Sequence, residues 1–327
     1  MNNLLDCGLS RQELIKSYEL MLTGRRLDER MWQLTRIGKS TFIISGQGCE
    51  VAQVAMASAF DNTKDYFLPY YRDMTACLTW GMTPLDMLLN TFSKEADPNS
   101  HGRQMPNHYG SKKNRIVSHS SVVSTQYALS TGVAYSSKFS KEDFVVLTTT
   151  GEGSFNQGEC YEAMNFAAIK KLPIIFVVEN NGYAISVKTD EQYASENLAM
   201  RGKAFGMPGI RIDGRNFTET YLTFKEHIEY ARNGNGPALI EIMLDRFTSH
   251  SGDDDQKVYR SMEEINEMVK NDPLKIFEQQ LINEDIVDQN ELSRINDQVN
   301  EKIDEYTIKA ETMSDPSRES LLDQVWA

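Results

Sequence analysis

The chain contains little cysteine and lacks long apolar segments. Its four cysteines are spread over 327 residues, and none is spaced as a CxxC metal or redox pair. Because we find no signal-peptide pattern ahead of them, we expect reduced thiols in a cytoplasmic protein. The apolar runs are much shorter than the roughly 20 residues that span a bilayer, which argues against a membrane protein.

Basic side chains are scarce as well. Lysine and arginine number 34 against 47 aspartates and glutamates, so the net charge is −13. Residues 251–327 hold 20 acidic and 8 basic side chains, and their balance of −12 accounts for nearly all of that charge. Such a surface repels phosphate backbones and anionic lipid, so we expect neither nucleic acid nor membrane as a partner.

The pattern up to about residue 250 is that of an α/β protein. Residues 144–147 and 174–178 are short apolar runs rich in β-branched side chains, and they bracket a helical stretch at 157–171. Together they predict a β-α-β unit with a parallel pair of strands. Residues 238–243 read as another strand of the same sheet. Further helices are expected near 48–60, 83–92, 125–138 and 218–233.

The last part of the chain is predicted to be acidic and helical. Ser10 to Glu13 is a capping box that opens an N-terminal helix, and Ser261 to Glu264 is a second one in the tail, before Pro273 opens a further helix. We find no internal repeat and no low-complexity linker. We therefore expect one domain over residues 1–327, with a sheet-and-helix core to about residue 250 and a loop plus acidic helical tail over 251–327.

Polar residues follow the two strands of the β-α-β unit. Gly151-Glu152-Gly153 comes after the first strand, and Asn181 follows the second. The carboxyl ends of adjacent parallel strands meet at one edge of a sheet, so Glu152 and Asn181 should converge. Carboxylate and amide oxygens suit Mg²⁺ shared with a phosphate group, and the glycines and the next helix would let a diphosphate approach the backbone.

Other interpretations of the same residues are open at this point. A glycine-flanked turn is commonly only a turn, and Asn-Asn-Gly is common loop chemistry. A dinucleotide site needs G-x-G-x-x-G, whereas the glycine after Gly153 is Gly158. A P-loop is excluded because no Gly-Lys-Ser/Thr follows the turn.

Several blocks in order carry a specific resemblance. Gly151-Glu-Gly-Ser-Phe-Asn-Gln-Gly158 through Asn180-Asn-Gly-Tyr-Ala-Ile-Ser186 resembles the thiamine diphosphate motif of 2-oxo acid dehydrogenase α subunits. The other blocks are Leu68-Pro-Tyr-Tyr-Arg-Asp73, Gly102-Arg-Gln-Met-Pro106 with His108, Ser120-Ser121, Thr125-Gln126, Arg246, and His250-Ser251 leading to Tyr259-Arg-Ser261. The resemblance covers roughly residues 10–270. The Gly102-Arg-Gln-Met-Pro106 block and the Tyr259-Arg-Ser261 loop are similar to the branched-chain enzymes in particular. The resemblance implies the thiamine-diphosphate-binding fold, with a mainly parallel sheet flanked by helices.

The resemblance also implies a set of cofactor contacts. Glu152, Asn181 and the carbonyl of Tyr183 would bind Mg²⁺. The residues that would contact thiamine diphosphate are Tyr71, Arg72, Ser121, Val123, Gly151, Glu152, Gly153, Ser154, Asn181 and His250. Arginine suits a diphosphate because its planar fork binds two oxygens, although an isolated Arg72-Asp73 would ordinarily be a surface ion pair.

Three further assignments come from the same resemblance. Ser120, Val122, Thr125 and Gln126 match a loop that binds a monovalent cation, K⁺, in some relatives. His250 matches a histidine that contacts the cofactor and donates a proton, and it is our candidate catalytic residue. Ser251 and Ser261 coincide with a loop that is phosphorylated in animal relatives.

One residue departs seriously from the family pattern. Glu179 stands where animal branched-chain enzymes have an arginine for the diphosphate, and a carboxylate cannot take that part. Either this side chain points away from the cofactor or another cation substitutes. The milder departure is Glu152 in place of the commoner aspartate.

The activity implied is oxidative decarboxylation of a branched-chain 2-oxo acid such as 3-methyl-2-oxobutanoate, with transfer of the acyl group to a lipoyl domain. The implied partners are a β subunit in an α₂β₂ heterotetramer and the lipoyl-bearing acyltransferase core. An α subunit acting on pyruvate or acetoin is the alternative. A third hypothesis is a scaffold protein that has lost its cofactor. The observation that motivates it is Glu179, which departs from the family pattern.

Overall fold

A five-stranded parallel sheet lies at the centre of the structure, a computed structural model that describes residues 3–323. Its strand order is β1-β2-β3-β7-β6, and every neighbouring pair is parallel. The sheet strands are β1 Tyr66–Leu68, β2 Val146–Gly151, β3 Ile174–Asn180, β6 Gly209–Asp213 and β7 Ala238–Met243, and a short antiparallel pair is formed by β4 Tyr183–Ala184 and β5 Val187–Lys188. The predicted mainly parallel α/β sheet is confirmed.

Helices cover both faces of this sheet. Alternate residues of a strand point to opposite faces, so Val146 and Phe176 lie in one apolar core while Leu147 and Val177 lie in another. The smaller core includes Tyr127 and residues of the helix that follows β2. The larger core includes residues of the N-terminal helix, of the helices that begin at Glu50, Pro84 and Phe217, and of the two last long helices. A strand buried on both faces needs apolar side chains throughout, which explains the unbroken run at 174–178.

The helices begin at the residues that the sequence signals for them. Ser10 accepts the amide of Glu13 and the Glu13 side chain accepts the amide of Ser10, so the first capping box is complete. The helices are α1 Arg11–Arg36, α2 Glu50–Ser58, α3 Met74–Trp80, α4 Pro84–Thr91, α5 Thr125–Ser140, α6 Gly158–Lys170, α7 Met200–Ala204, α8 Phe217–Arg232, α9 Met262–Lys270, α10 Pro273–Asn283 and α11 Gln289–Thr312. The five predicted core helices are confirmed to within a few residues. Among the described helices, none has both the length and the apolar composition that a bilayer crossing needs.

One predicted strand is wrong in position, and two strands of the main sheet, β1 and β6, were not predicted, nor was the β4–β5 pair. The strand expected at 144–147 is β2, which begins at Val146 and continues through Thr148, Thr149 and Thr150 to Gly151. The threonines make this buried strand look polar in the sequence, so its second half was not recognised. In the structure, the hydroxyl of Thr149 donates to the carboxylate of Asp73. β1 has three residues and β6 has five, which is too short for a periodic signal.

The acidic C-terminal helices pack on the N-terminal one. α11 buries Leu292, Val299 and Ile303 in the larger core. Its charged side chains lie outside this stripe, and Lys302 pairs with Glu19 of α1. The second capping box is only half formed, because Ser261 accepts the amide of Glu264 but the Glu264 side chain binds elsewhere. The single domain over residues 1–327 stays a prediction.

All four cysteines are buried, and none forms a disulfide within the part of the chain that the structure describes. The nearest sulfur contacts are with backbone carbonyls, as in Cys7 with that of Leu4 at 2.9 Å. Burial raises the pKa of the Cys49 and Cys77 thiols well above the ordinary value. These thiols are therefore protonated and contribute as small apolar side chains.

Removing Arg25 is expected to destabilise the fold strongly. This buried guanidinium joins three helices, since it contacts Glu50 at 2.6 Å and Asp272 at 2.8 Å. Arg25→Met would leave both carboxylates buried without a cation, a loss of about 3–5 kcal/mol. Urea unfolding measures this loss in the free energy of unfolding. Lys302→Met is the control, because it breaks an exposed interhelical pair worth at most about 1 kcal/mol. Equal losses in the two variants would contradict the prediction.

Candidate cofactor site

A cavity of about 260 Å³ lies at the carboxyl ends of β2 and β3. This is the edge where open parallel sheets bind ligands. Ten residues predicted from the sequence line it: Tyr71, Arg72, Val123, Gly151, Glu152, Gly153, Ser154, Asn181, Tyr183 and His250. Tyr70, Gln157, Ala184 and Ile185 also line it and were not predicted.

Glu152 and Asn181 meet in this cavity. The register of β2 and β3 pairs Gly151 with Glu179, so the two strands end side by side. One oxygen of Glu152 accepts from the backbone amide and from the side-chain amide of Asn181, each at 3.3 Å. The convergence predicted from the sequence is therefore present.

Two oxygens of this pair lack a hydrogen-bond partner within residues 3–323. They are Oε1 of Glu152 and Oδ1 of Asn181, and both are buried. Burial is the main cause that raises the pKa of Glu152 above its usual value. A carboxylate oxygen and an amide oxygen without partners are the ligands that a hard divalent cation such as Mg²⁺ requires, so the residues fit that ion.

The third predicted metal ligand is the carbonyl of Tyr183. It accepts a hydrogen bond from Arg246 at 3.3 Å, which leaves one lone pair for a metal. The phenol of Tyr183 donates to Glu264, and its ring lies 4.2 Å from the guanidinium carbon of Arg260. These contacts hold the β4–β5 hairpin over the end of β2. The described residues hold no cluster of three His, Cys, Asp or Glu side chains for a metal, and the predicted set has one carboxylate.

The cavity is bordered by two buried arginines that form no ion pair within the described residues. Arg72 is 2% exposed and donates to the carbonyl of Ser45, while its Nε has no hydrogen-bond partner among residues 3–323. Arg246 donates to the carbonyls of Tyr183 and Ile185, and burial with the neighbouring charge of Arg72 lowers its pKa to about 10. Uncompensated buried cations are costly, so this cavity is suited to an anionic ligand.

The ion pair between Arg72 and Asp73, considered as an alternative from the sequence, does not form. Asp73 instead accepts from the backbone amide of Tyr70 at 2.9 Å and from the hydroxyl of Thr149. It closes the turn that carries Tyr71 and Arg72. Arg72 is thereby left to face the cavity.

Gly153 permits a close approach between the two halves of the site. A Cβ at this position would lie 2.4 Å from the Cβ of Ala184 in the β4–β5 hairpin. A 3₁₀ turn at Ser154–Asn156 lies between these glycines and α6, which begins at Gly158, one residue after the predicted start.

His250 lies beside Arg72 at the rim of the cavity. Its Nδ1 is 3.4 Å from a terminal nitrogen of Arg72, and its ring meets Tyr71 edge-on with centroids 6.0 Å apart. Arginine only donates, so Nδ1 is the acceptor and the ring proton lies on Nε2. Burial, with the charges of Arg72 and Arg246, lowers the pKa of His250 to about 4. The imidazole is neutral at pH 7.

The 120–126 loop only partly reaches the cavity. Val123 lines it, whereas the Ser121 hydroxyl is bonded to His108 and the Ser120 hydroxyl accepts the amide of Val122. Gln126 donates to the carbonyl of Thr149 at 2.9 Å. The structure thus does not bring Ser121 to the cavity, and Thr125 opens helix α5. The roles assigned to Ser120, Ser121, Val122, Thr125 and Gln126 stay predictions.

Glu179 points away from the cavity, as one of the two sequence alternatives required. It is fully buried and accepts from the Tyr70 hydroxyl at 3.0 Å. Burial raises the pKa of Glu179 above its ordinary value. The pKa of Asp73 is raised well above the ordinary range by burial and, as a smaller cause, by the nearby charge of Glu179. No carboxylate other than that of Glu152 lines the cavity among residues 3–323.

A loop behind the cavity was not predicted in this role. Arg260 donates to the carbonyl of Arg246, and Tyr259 bridges Arg246 and Asp254. Asp254 in turn accepts the backbone amide of His250 at 2.8 Å. The available signal was the order Arg246, His250, Tyr259, Arg260 after a buried strand, but sequence spacing alone does not show that the loop folds back.

Stability is expected to fall below neutral pH because His119 is buried as the neutral form. Its ring stacks on His108 with centroids 4.5 Å apart, both nitrogens lack partners within the described residues, and burial lowers its pKa to about 3. The unfolded chain binds this proton below about pH 6.5, so stability is lost as pH falls from 6.5 towards 3. The loss due to this group is about 2 kcal/mol at pH 5.

Urea unfolding at pH 7.5 and pH 5 measures this loss. His119→Phe keeps the ring and should make the acid-side loss shallower. His101→Asn is the control, since His101 is exposed and asparagine tolerates its φ of 54°. An unchanged pH dependence in the His119 variant would overturn the prediction.

Comparison with known proteins places the chain in a family. The model described as "Dehydrogenase E1 component" matches residues 18–319. The chain is 48% identical to 2-oxoisovalerate dehydrogenase subunit alpha of Bacillus subtilis, covering 98% of this chain and 97% of that protein. It is 33% identical to the mitochondrial subunit of that name from Mus musculus (98% and 72%) and 33% identical to pyruvate dehydrogenase E1 component subunit alpha of Acholeplasma laidlawii (95% and 88%). The chain belongs to the dehydrogenase E1 component family.

Proposed function

We propose that this chain is the α subunit of an oxidative decarboxylase that acts on branched-chain 2-oxo acids. The observation that carries the proposal is the pair of oxygens on Glu152 and Asn181 that lack a partner in the described residues, in one cavity with Arg72, which forms no ion pair there. Such a cavity suits a divalent cation together with an anionic group. The preference for a branched substrate is supported by the 48% identity to a 2-oxoisovalerate dehydrogenase subunit, against 33% to a pyruvate dehydrogenase subunit.

The cofactor of this family is thiamine diphosphate, and this cavity is where we propose that it binds. Glu152, Asn181 and the Tyr183 carbonyl would hold Mg²⁺, and Arg72 would bind the diphosphate. Gly151, Gly153, Ser154, Tyr71 and Val123 would contact the cofactor. When bound, thiamine diphosphate supplies the carbanion and the electron sink for decarboxylation of a 2-oxo acid. The polypeptide supplies position, charge and exclusion of water.

His250 is proposed as the proton donor. With Nδ1 directed at Arg72, its proton is on Nε2, which is the atom able to donate. An anion bound by Arg72 would offset the cationic charge that lowers the pKa of His250, and it would bring that pKa closer to neutrality. Asp254 accepts the backbone amide of His250, and Arg72 and Tyr71 contact the ring, so both the backbone and the ring of His250 have protein partners before any ligand binds.

A second chain is proposed to complete the site. Hydrophobic side chains beside and in the cavity are exposed, with Val122 at 63% and Ile185 at 55%, so a covering subunit would bury them and exclude water. Glu152 is committed to the metal in this proposal, so the acid that activates the cofactor ring would come from the β chain. We propose an α₂β₂ assembly that passes acyl groups to a lipoyl-bearing acyltransferase core. A monovalent cation, K⁺, is proposed for the 120–126 loop, where the buried Oε1 of Gln126 lacks a partner in the described residues.

The proposal is tested by purifying the chain with and without a β-type chain. Reduction of an artificial electron acceptor is compared with 3-methyl-2-oxobutanoate, pyruvate or acetoin as the substrate, at saturating thiamine diphosphate and Mg²⁺. We expect activity only in the complex, and a higher kcat/KM for the branched acid. A higher kcat/KM for pyruvate or acetoin would overturn the substrate assignment. Full activity of the chain alone would refute the proposal that a second subunit completes the site. If thiamine diphosphate showed no metal-dependent binding, the proposed enzymatic function would be wrong.

A further inference from the structure

Glu179 lies beneath the cavity in a buried network of side chains. Its two oxygens accept from the Nε2 of Gln53 at 3.2 and 3.4 Å, and one of them also accepts from the hydroxyl of Tyr70 at 3.0 Å. Gln53 lies on α2 and Glu179 on β3, so the network connects the helical layer to the sheet. Within residues 3–323 Glu179 forms no ion pair with a basic side chain.

The same network holds the turn that carries Arg72. The Gln53 amide that contacts Glu179 also donates to the carbonyl of Arg72 at 3.1 Å. The Tyr70 amide is bonded to Asp73 at 2.9 Å, and Asp73 donates its own amide back to the Tyr70 carbonyl at 3.1 Å. Both ends of the turn are therefore fixed, one through the Tyr70 side chain and the other through the Arg72 backbone.

We infer that Glu179 is a positioning residue for diphosphate binding, acting through Tyr70 and Gln53 to hold the Tyr70–Asp73 turn so that Arg72 faces the cavity. This inference rests on the proposed function, because it takes the ligand of Arg72 to be the diphosphate. A buried carboxylate accepts from several donors at once, which a neutral side chain of the same size does less well. Small displacements of such a turn weaken binding, because the guanidinium must match the diphosphate oxygens.

Two substitutions separate this role from general packing. Tyr70→Phe removes only the hydroxyl that Glu179 accepts, and Glu179→Gln removes the charge at nearly constant volume. Tyr127→Phe is the matched control, since Tyr127 is equally buried and its hydroxyl donates to the carbonyl of Val177 on the same strand, away from the turn. All three variants lose one buried polar contact or charge.

Calorimetric titration of the αβ complex with thiamine diphosphate and Mg²⁺ is the first measurement, and titration with inorganic diphosphate and Mg²⁺ is the second. We expect the Kd for both ligands to rise about five- to tenfold in Tyr70→Phe and in Glu179→Gln. The double variant should lose less than the product of the two effects, because the residues act as one unit. The cofactor concentration for half-maximal activity should rise by more than kcat falls. Tyr127→Phe should lower the melting temperature and leave the Kd unchanged.

The outcomes distinguish this inference from the function on which it rests. If the unsubstituted complex fails to bind thiamine diphosphate, the proposed function is wrong. If it binds, and both Tyr70→Phe and Glu179→Gln bind as tightly as it does, the function stands and the positioning role is refuted. An equal loss of affinity in Tyr127→Phe would likewise refute it, because general loosening of the sheet would then explain the result.

Discussion

Glu152→Gln is expected to abolish metal-dependent cofactor binding while the chain remains folded. The Glu152 carboxylate is the sole charged ligand in the proposed metal set, and its neighbours supply only amide and carbonyl oxygens. Removing a residue that only hydrogen-bonds to a metal ligand lowers metal affinity or activity by about 10–100-fold. Removing the charged ligand itself should therefore lower the metal affinity by at least about 100-fold.

Thermal unfolding separates this effect from misfolding. Burial raises the pKa of Glu152, so its charged form costs folding free energy at pH 7. The ligand-free glutamine variant should therefore melt at the same temperature as the parent or higher. The upward shift that thiamine diphosphate and Mg²⁺ give the parent αβ complex should disappear.

Glu159→Gln is the matched control for this substitution. Glu159 lies in the first turn of α6, seven residues along the chain, and is exposed. Its loss should change neither the ligand-induced shift nor the turnover. If Glu152→Gln retained metal-dependent binding comparable to that of the parent complex, Glu152 would not be a metal ligand.

Gly153→Ala is expected to have the second largest effect on the site. The added methyl carbon would meet the Cβ of Ala184 at 2.4 Å, a distance that non-bonded carbon atoms do not adopt. The β4–β5 hairpin must then move, and with it the Tyr183 carbonyl. We expect cofactor affinity and kcat/KM to fall by about 100-fold, because a displacement near 1 Å at a site of this kind costs that much.

A compensating substitution tests this explanation. In Gly153→Ala with Ala184→Gly, the next nearest atom is the Cα of residue 184 at 3.4 Å, which is tolerable contact. The double variant should recover most of the kcat/KM. Gly158→Ala is the control, because a Cβ there would meet no atom of the described residues within 4 Å. If the double variant were as defective as the single one, contact with Ala184 would not be the reason for the glycine.

Most residues of the candidate site could be predicted from the sequence. Glu152 and Asn181 each follow a buried strand, and the rule that parallel strand ends share one edge was sufficient to bring them together. The family resemblance added Tyr71, Arg72 and His250, which the structure places in the same cavity. Ser121 was not brought there, because its hydroxyl is taken by His108 on a neighbouring loop. Such a competing partner leaves no signal in local sequence.

The position of Glu179 shows the limit most clearly. Strand periodicity places it beside Asn180 on a buried strand, but its neighbours Gln53 and Tyr70 come from residues more than 100 positions earlier. From the sequence we could conclude that a carboxylate does not bind a diphosphate, which left two alternatives: Glu179 points away from the cofactor, or another cation substitutes. The tertiary contacts of Glu179 show that it points away from the cavity.

The sequence by itself determined the class of fold, the order of its main strands and helices along the chain, and the convergence of Glu152 and Asn181 at the ends of β2 and β3, because these depend on periodicity, capping and the geometry of adjacent parallel strands. Only the tertiary structure decided that Arg72 and Arg246 are buried without an ion pair among residues 3–323, that Glu179 faces the interior, and that Gly153 adjoins Ala184. Each of these is a contact between segments distant along the chain, and its energy depends on burial that no local pattern reports.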